Sequence, residues 1–207
     1  LAVHLKMTGK LVFSREEPLP KKHERLFFRF ERAGEIGFLA WSDTRRFGYL
    51  RYLSGPEAVQ AVLADYGPEP LAADPALLTE RLAVPSRRSL KAVLLDQSVI
   101  AGIGNIYADE ACFLAGIHPA RTLDSLRPAE RVSLAAAIQD VLRRAVEQKG
   151  TSAHTYVDTD GKKGGFLKLL QVYGRSGKPC LRCKALIVKT VLAGRGTHAC
   201  LACQPLH

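Results

Sequence analysis

Four of the five cysteines fall in two Cys-x-x-Cys pairs, Cys180 with Cys183 and Cys200 with Cys203, with sixteen residues between the pairs. Two such pairs can close four thiolates tetrahedrally around one Zn²⁺. Four thiolates leave no coordination position for water, so the single Zn²⁺ expected here is structural. The stretch between the pairs contains Ile187-Val188-Lys189-Thr190-Val191 and then Gly194-Arg195-Gly196. It reads as a β-hairpin pinned by the metal, with Gly-Arg-Gly as its turn and the rigid presentation of Arg195 as its task. Two disulfides or four free thiols are the competing reading. With no signal peptide in view the expected compartment is reducing, which favours the metal. The leftover Cys112 is expected to be a small buried helix residue.

Thirty Lys and Arg against 20 Asp and Glu leave a formal charge of +10, the balance of a protein that meets a polyanion. Nucleic acid or an anionic membrane surface comes first. No apolar run approaches the ~20 residues of a membrane-spanning helix. The cations cluster in the turn Lys21-Lys22-His23-Glu24-Arg25, at Arg45-Arg46 and at Arg87, Arg88 and Lys91. Each cluster could also be an ordinary solvated surface. If they neutralise phosphates, affinity depends on salt and chooses little among sequences.

A second chemical signal is Gly102-Ile103-Gly104-Asn105-Ile106-Tyr107. Its glycines let backbone N–H groups and a helix N-terminus, with Asn105 at the start, approach a phosphate. An ordinary helix cap is the plainer alternative.

These residues need elements to hold them. Apolar residues alternate from Leu1 to Phe13 around Thr8-Gly9, which predicts a β-hairpin. Leu26, Phe28 and Phe30, then Ile36, Phe38 and Ala40 after Gly34, predict two more strands. Pro- and Ala-rich sequence from Ser54 to Ser86 marks a boundary with short helices. Leu90, Val93 and Leu94 begin one helix, and Ile106, Glu110, Phe113 and Leu114 a second, on either side of the glycine turn. A third follows Pro128, with Leu134, Ile138, Val141, Leu142 and Ala145 at helical spacing until Gly150 and with Arg131, Arg143 and Arg144 outside. With 47% hydrophobic residues in 207, the chain can bury a core. The expected class is α+β and multidomain: part of a β-sandwich over 1–66, a helical domain over 67–172 and a zinc hairpin over 173–207.

Leu94-Leu95-Asp96-Gln97 followed by Gly102-Ile103-Gly104-Asn105-Ile106-Tyr107 resembles the helix-two-turn-helix of bacterial formamidopyrimidine-DNA glycosylases. Gly194-Arg195-Gly196-Thr197-His198 on the zinc hairpin is similar to that family too, as are His4-Leu5-Lys6-Met7-Thr8-Gly9 and Asp43-Thr44-Arg45-Arg46-Phe47-Gly48. The resemblance runs along essentially the whole chain. It implies base-excision repair of oxidised purines in double-stranded DNA, 8-oxoguanine and formamidopyrimidines, by an N-glycosylase with AP lyase activity (β,δ-elimination), working as a monomer in the bacterial cytoplasm at the nucleoid. The Arg-x-Phe pair and the Asn-Ile-Tyr continuation are similar to the oxidised-purine branch of the family.

By that resemblance Met7, Arg45 and Phe47 fill the gap left by a flipped-out nucleotide. Extrusion costs a few kcal/mol of unstacking, which an apolar wedge with an Arg can offset. Out of context, Met7 and Phe47 would more often be core residues. The resemblance also places His23, Arg46, Arg87, Lys91, Asn105, Tyr107 and Lys162 on DNA. It implies that residues 151–166, with Tyr156, Asp160, Lys162 and Lys163, form a loop over the damaged base; Lys163 departs from the family's usual proline. Arg195 matches an arginine assigned as proton donor in the second elimination. Arginine holds its proton above pH ~12, so electrostatic stabilisation of the departing phosphate is the better physical expectation.

The family mechanism starts from an N-terminal proline amine, helped by a glutamate and a later lysine, and none of the three has a counterpart in the sequence. The expectation is a piece that begins within the N-terminal β domain and does not cut alone. Two other readings stand beside it: a non-catalytic zinc-containing module that binds damaged DNA, and an RNA-binding ribbon with Tyr173 as stacking platform.

Overall fold

The computed structural model describes residues 1–151 and 164–206. They form two compact units, one of residues 1–61 with 147–168 and one of residues 62–146 with 169–207.

The first unit contains β1 (Ala2–His4), β2 (Gly9–Ser14), β3 (Glu24–Arg32), β4 (Glu35–Asp43) and β5 (Tyr49–Arg51). Strands β2, β4 and β3 form one antiparallel sheet with β4 central, and β1 pairs with β5 in another. The alternating segments Leu26 to Phe30 and Ile36 to Ala40 are the expected strands. Their hairpin closes through Ala33 (φ 51°) and Gly34 (φ 80°) between the paired Arg32 and Glu35. Two successive positive φ values give the turn whose twist matches that of the strands.

The expected hairpin from Leu1 to Phe13 is not formed. The turn is there, with the Gly9 N–H donating to the Leu5 carbonyl at 2.9 Å. The strands it joins go to different sheets, Val3 opposite Leu50 and Leu11 opposite Trp41. Alternation specifies which face a residue presents and leaves its neighbour open.

In the second unit the helices are α2 (Pro75–Arg81), α3 (Leu90–Leu94), α4 (Asn105–Ala115) and α5 (Pro128–Glu147); α1 (Pro56–Leu63) lies where the chain passes between units. Asp74 caps α2 by accepting from the Ala76 N–H, and Ser89 caps α3 through the Ala92 N–H. Leu78, Leu82, Leu90, Leu94, Ile100 and Ile138 meet in one fully buried core. Cys112 lies there as expected, its thiol pushed up to about 12 by burial and therefore inert.

Gln97 staples the turn between α3 and α4. Its Oε1 accepts from Gly102 N–H and its Nε2 donates to the Ile103 carbonyl, both at 2.9 Å. The helix after Pro128 keeps its buried stripe and ends at Glu147, just before the left-handed Lys149 and Gly150. Strands β6 (Val188–Leu192) and β7 (Arg195–Ala199) form the C-terminal hairpin. Phe113 of α4 packs with Val172, Cys180, Ile187 and Cys200, so the hairpin and the helices share one compact unit.

At the start of α5, Glu130 accepts two hydrogen bonds from Arg121, at 2.7 and 3.1 Å, and one from the Arg127 N–H at 2.8 Å. The Arg121 guanidinium is the main reason its carboxyl falls to about 2. A folded-state value below the unfolded one stabilises above the ordinary carboxylate range, and that stability is lost as pH falls toward 2. Glu130→Gln is expected to lower stability at pH 7 by roughly 1–2 kcal/mol, with the gap to the parent closing between about pH 4.5 and 2. Urea unfolding across that range checks it, and a pH-independent gap would assign the loss to packing.

Candidate nucleic-acid interface

In the first unit Met7 is 66% exposed and Phe47 58% exposed, so neither is a core residue. Between them lies Arg45, its Nη1 3.4 Å from the Met7 sulfur and its guanidinium carbon 4.7 Å from the Phe47 ring centroid. An arginine between two apolar groups in solvent offers a stacking face with hydrogen-bond donors at its edge. Arg46 is exposed in left-handed backbone, φ 59°. His23 is half-buried in a turn closed by the Glu24 N–H to the Lys21 carbonyl at 3.0 Å and by the Lys21 N–H to Glu24 Oε2 at 2.5 Å.

In the second unit α4 begins behind Gly104 with no side-chain cap. Its first-turn N–H groups and the positive end of its dipole suit an anion. Asn105, at the first helical position, donates through Nδ2 to the Gly196 carbonyl at 3.0 Å. Helix start and hairpin are thereby joined next to Arg195. The hairpin turn is one step earlier than expected: Ala193 (φ 50°) and Gly194 (φ 70°) make it, and Arg195 opens β7 opposite Leu192. A two-residue turn with both φ values positive fits the strand twist, and a Gly-Arg-Gly turn would have put the arginine in strained backbone. Arg195 is exposed, and Tyr107 is half-buried on the first turn of α4.

Lys91 does not belong to a DNA surface. It is fully buried, donating to the Asn105 carbonyl at 3.0 Å and ion-paired with Asp109. Sequence spacing put it among surface cations, but α3 turns it inward beside Leu90 and Val93. The second Asp109 oxygen accepts from the His198 N–H at 2.9 Å and lies 3.2 Å from His198 Nδ1. Next to it, Glu110 accepts from the N–H groups of Gln171, Val172 and Tyr173 at 2.8 to 2.9 Å. Burial pushes the Glu110 carboxyl up, against the pull of those three donors. Two successive α4 carboxylates thus hold β7 and the segment leading to the hairpin. Sequence reasoning put Glu110 at helical spacing with Ile106 and Phe113 but gave neither acid a role, since nothing but helical position separates them from surface acids.

Tyr173 is no open stacking platform: it is half-buried, its ring edge-on to His198 with centroids 4.9 Å apart. Arg87 is exposed ahead of α3, while Arg88 pairs with Asp96 at 2.8 Å and with the Ala92 carbonyl. Lys162, with Tyr156, Asp160 and Lys163, lies outside the described residues. The ends of that segment come together at the Thr151 to Gly165 bridge, where a Cβ on Gly164 would meet the Gly150 carbonyl oxygen at 2.1 Å.

The sulfurs of Cys180, Cys183, Cys200 and Cys203 all lie within 4.8 Å of one another, with Cys180 to Cys203 at 3.9 Å and Cys183 to Cys200 at 3.4 Å. These are far beyond disulfide length, and they match the S···S edges of about 3.8 Å that Zn–S bonds of ~2.3 Å impose on a tetrahedron. The four thiols fit one structural zinc. Burial and the neighbouring thiols push Cys203 up to about 12, so a bound cation is what makes full deprotonation favourable.

Comparison with known proteins places three family profiles along the chain. The formamidopyrimidine-DNA glycosylase N-terminal domain matches residues 1–50, the H2TH domain of the same glycosylases residues 66–157, and a zinc finger found in FPG and IleRS residues 177–206. A formamidopyrimidine-DNA glycosylase of Symbiobacterium thermophilum is 46% identical over 100% of this chain and 67% of its own length. The Lactococcus lactis Fpg in complex with DNA containing an abasic site superposes with TM-score 0.86 at 36% identity, over 98% of this chain and 74% of that one. MutM in complex with DNA containing carbocyclic 8-oxo-G gives 0.86 at 35%, over 98% and 73%.

The purified chain is expected to carry one zinc per molecule by elemental mass spectrometry, and Cys200→Ser to lose both the metal and several degrees of Tm. Full zinc in that variant would refute the four-sulfur site. Asp109→Ala leaves Lys91 charged and unpaired in the core, an expected loss on the order of 3–5 kcal/mol in urea unfolding; a loss below ~1 kcal/mol would show the network to be dispensable.

Proposed function

Since this chain belongs to the formamidopyrimidine-DNA glycosylase family, we propose that it carries the DNA-gripping and damage-sensing surfaces of an enzyme that excises oxidised purines, 8-oxoguanine and formamidopyrimidines, in base-excision repair. The observation that carries the reading is the Met7, Arg45 and Phe47 group, exposed and already in contact. Two large apolar side chains held in water around a guanidinium add little to folding. They suit the space left when a base leaves the stack, where Arg45 can hydrogen-bond the orphaned partner and Phe47 and Met7 can stack.

The second unit supplies the grip. The α4 N-terminus with Asn105, together with Arg195 from β7, forms a site for backbone phosphate, and Arg87 adds an exposed cation ahead of α3. Such contacts position the duplex without reading its sequence. Arg195 would further stabilise the phosphate that departs in the second elimination, as a fixed positive charge rather than as an acid. His23 and Arg46 extend the cationic surface of the first unit, and Lys162 would act from the loop over the damaged base.

The glycosylase step and the AP lyase step both require an amine nucleophile on sugar C1′. In this reading an upstream proline provides it, and the 207 residues alone bind without cutting. No helix among the described residues is long and apolar enough to cross a membrane. The second reading, a non-catalytic module for damaged DNA, shares every surface just described.

Borohydride trapping on an 8-oxoguanine:cytosine duplex separates the two. A version carrying an upstream segment with the family's terminal proline is expected to form the covalent adduct, and the 207-residue chain none. Trapping by neither would favour the binding module, and trapping by the chain alone would overturn the assignment of the nucleophile. Arg195→Ala is expected to weaken duplex binding about tenfold and to reduce the salt dependence of log K by roughly one unit of slope. An unchanged slope would remove Arg195 from the phosphate contacts.

A further inference from the structure

Asp43 ends β4 and is 1% exposed, although the loop that follows it is in solvent. Every polar atom it has is engaged. One carboxylate oxygen accepts the Thr8 hydroxyl and, at 3.2 Å, the Arg45 N–H; the other accepts the Gly48 N–H at 2.8 Å. Its own N–H donates to the His23 carbonyl at 2.9 Å, and its carbonyl accepts from Arg25 Nε at 3.0 Å.

The partners come from three separate stretches of chain. Thr8 follows Met7, and its hydroxyl oxygen is itself 3.2 Å from the Arg45 N–H. Arg45 and Gly48 bracket the loop that presents Phe47. His23 and Arg25 belong to the basic turn, and the register of β3 slips between Glu24 and Leu26, where a bulge re-aims Arg25 toward Asp43. The space around the carboxylate is full: a Cβ on Gly48 would stand 3.2 Å from Asp43 Oδ2 and 3.0 Å from both the His4 carbonyl oxygen and the Trp41 ring.

We propose that Asp43 is a positioning residue for base extrusion, one buried carboxylate that sets the mutual placement of Met7, Arg45, Phe47 and the His23 turn before DNA arrives. This rests on the reading of Met7, Arg45 and Phe47 as the void-filling group. A wedge left floppy would have to be ordered at the moment of extrusion, at an entropic cost set against the unstacking it offsets. Short polar contacts to one ionised group remove that cost beforehand. The Asp43 carboxyl lies below the usual carboxylate range, chiefly through the Thr8 hydroxyl and then the Gly48 N–H, so it stays an acceptor at physiological pH.

The test uses the 207-residue chain and a duplex with 2-aminopurine opposite a tetrahydrofuran abasic analogue. It reads the ratio of affinities for this duplex and an undamaged one, the 2-aminopurine signal at saturation, and Tm. Phe47→Ala is expected to lose the preference for the damaged duplex, which tests the wedge itself. Thr8→Val is close to isosteric and removes one donor to Asp43. It is expected to cut the preference about tenfold and to lower Tm by several degrees while the chain stays folded, because a hydrogen bond to a buried charged group is lost. Thr8→Ser restores the hydroxyl and should restore both preference and signal. Asp43→Asn, which faces two backbone N–H donors with an amide, should lose at least as much as Thr8→Val; if it fails to fold, the Thr8 pair decides. Loss in Phe47→Ala with full preference in Thr8→Val overturns the role of Asp43 and leaves the wedge standing. Full preference in Phe47→Ala overturns the wedge reading and the proposal with it.

Discussion

A carboxylate taken out of water has to recover its hydrogen bonds from the protein, or its burial costs more than the fold gains. Three acids among the described residues are buried, Asp43, Asp109 and Glu110, and each recovers its bonds from several donors, at least one of them distant in sequence. Asp43 gathers the segments around Met7, His23 and Arg45. Asp109 draws β7 onto α4 through His198, and Glu110 draws in residues 171 to 173. The side chains proposed to face DNA around Met7, Arg45 and Arg195 stay in solvent while the backbone that carries them is fixed from behind.

That arrangement resolves a conflict in proteins that grip a polyanion. In the proposed role, exposed cations such as Arg45, Arg46, Arg87 and Arg195 must stay accessible, so they do little to order their own loops. Order therefore comes from groups of opposite charge beneath the surface. Lys91 shows the complement: a cation drawn inward to neutralise Asp109, and for that reason lost to the phosphate surface.

Much of the site was legible in the sequence because its signals are local. The Cys-x-x-Cys pairs, the glycines before Asn105 and the Asp-Thr-Arg-Arg-Phe-Gly segment each specify chemistry within a few residues, and the structure brings the four cysteines together. The alternation that gave β3 and β4 and the periodicity that gave α5 are local as well. What could not be read was pairing. Leu1 to Phe13 alternates as a hairpin would, yet its halves join different sheets. Lys91 stands among arginines in sequence but on the inner face of α3. Asp43 was visible only as the first letter of a motif; that its carboxylate reaches Thr8, 35 residues away, is a property of the β2 and β4 register.

Hydrogen exchange of the free chain, followed amide by amide by NMR, tests most directly whether both surfaces are assembled before DNA is present. The Arg45 and Gly48 amides lie in an exposed loop and the His198 amide in a short hairpin, places where exchange is ordinarily fast. If the buried carboxylates hold these segments, all three amides will be protected well beyond their exposed neighbours without DNA. Fast exchange of the three, with protection appearing only after a damaged duplex is added, would contradict the account and place the ordering in the binding step.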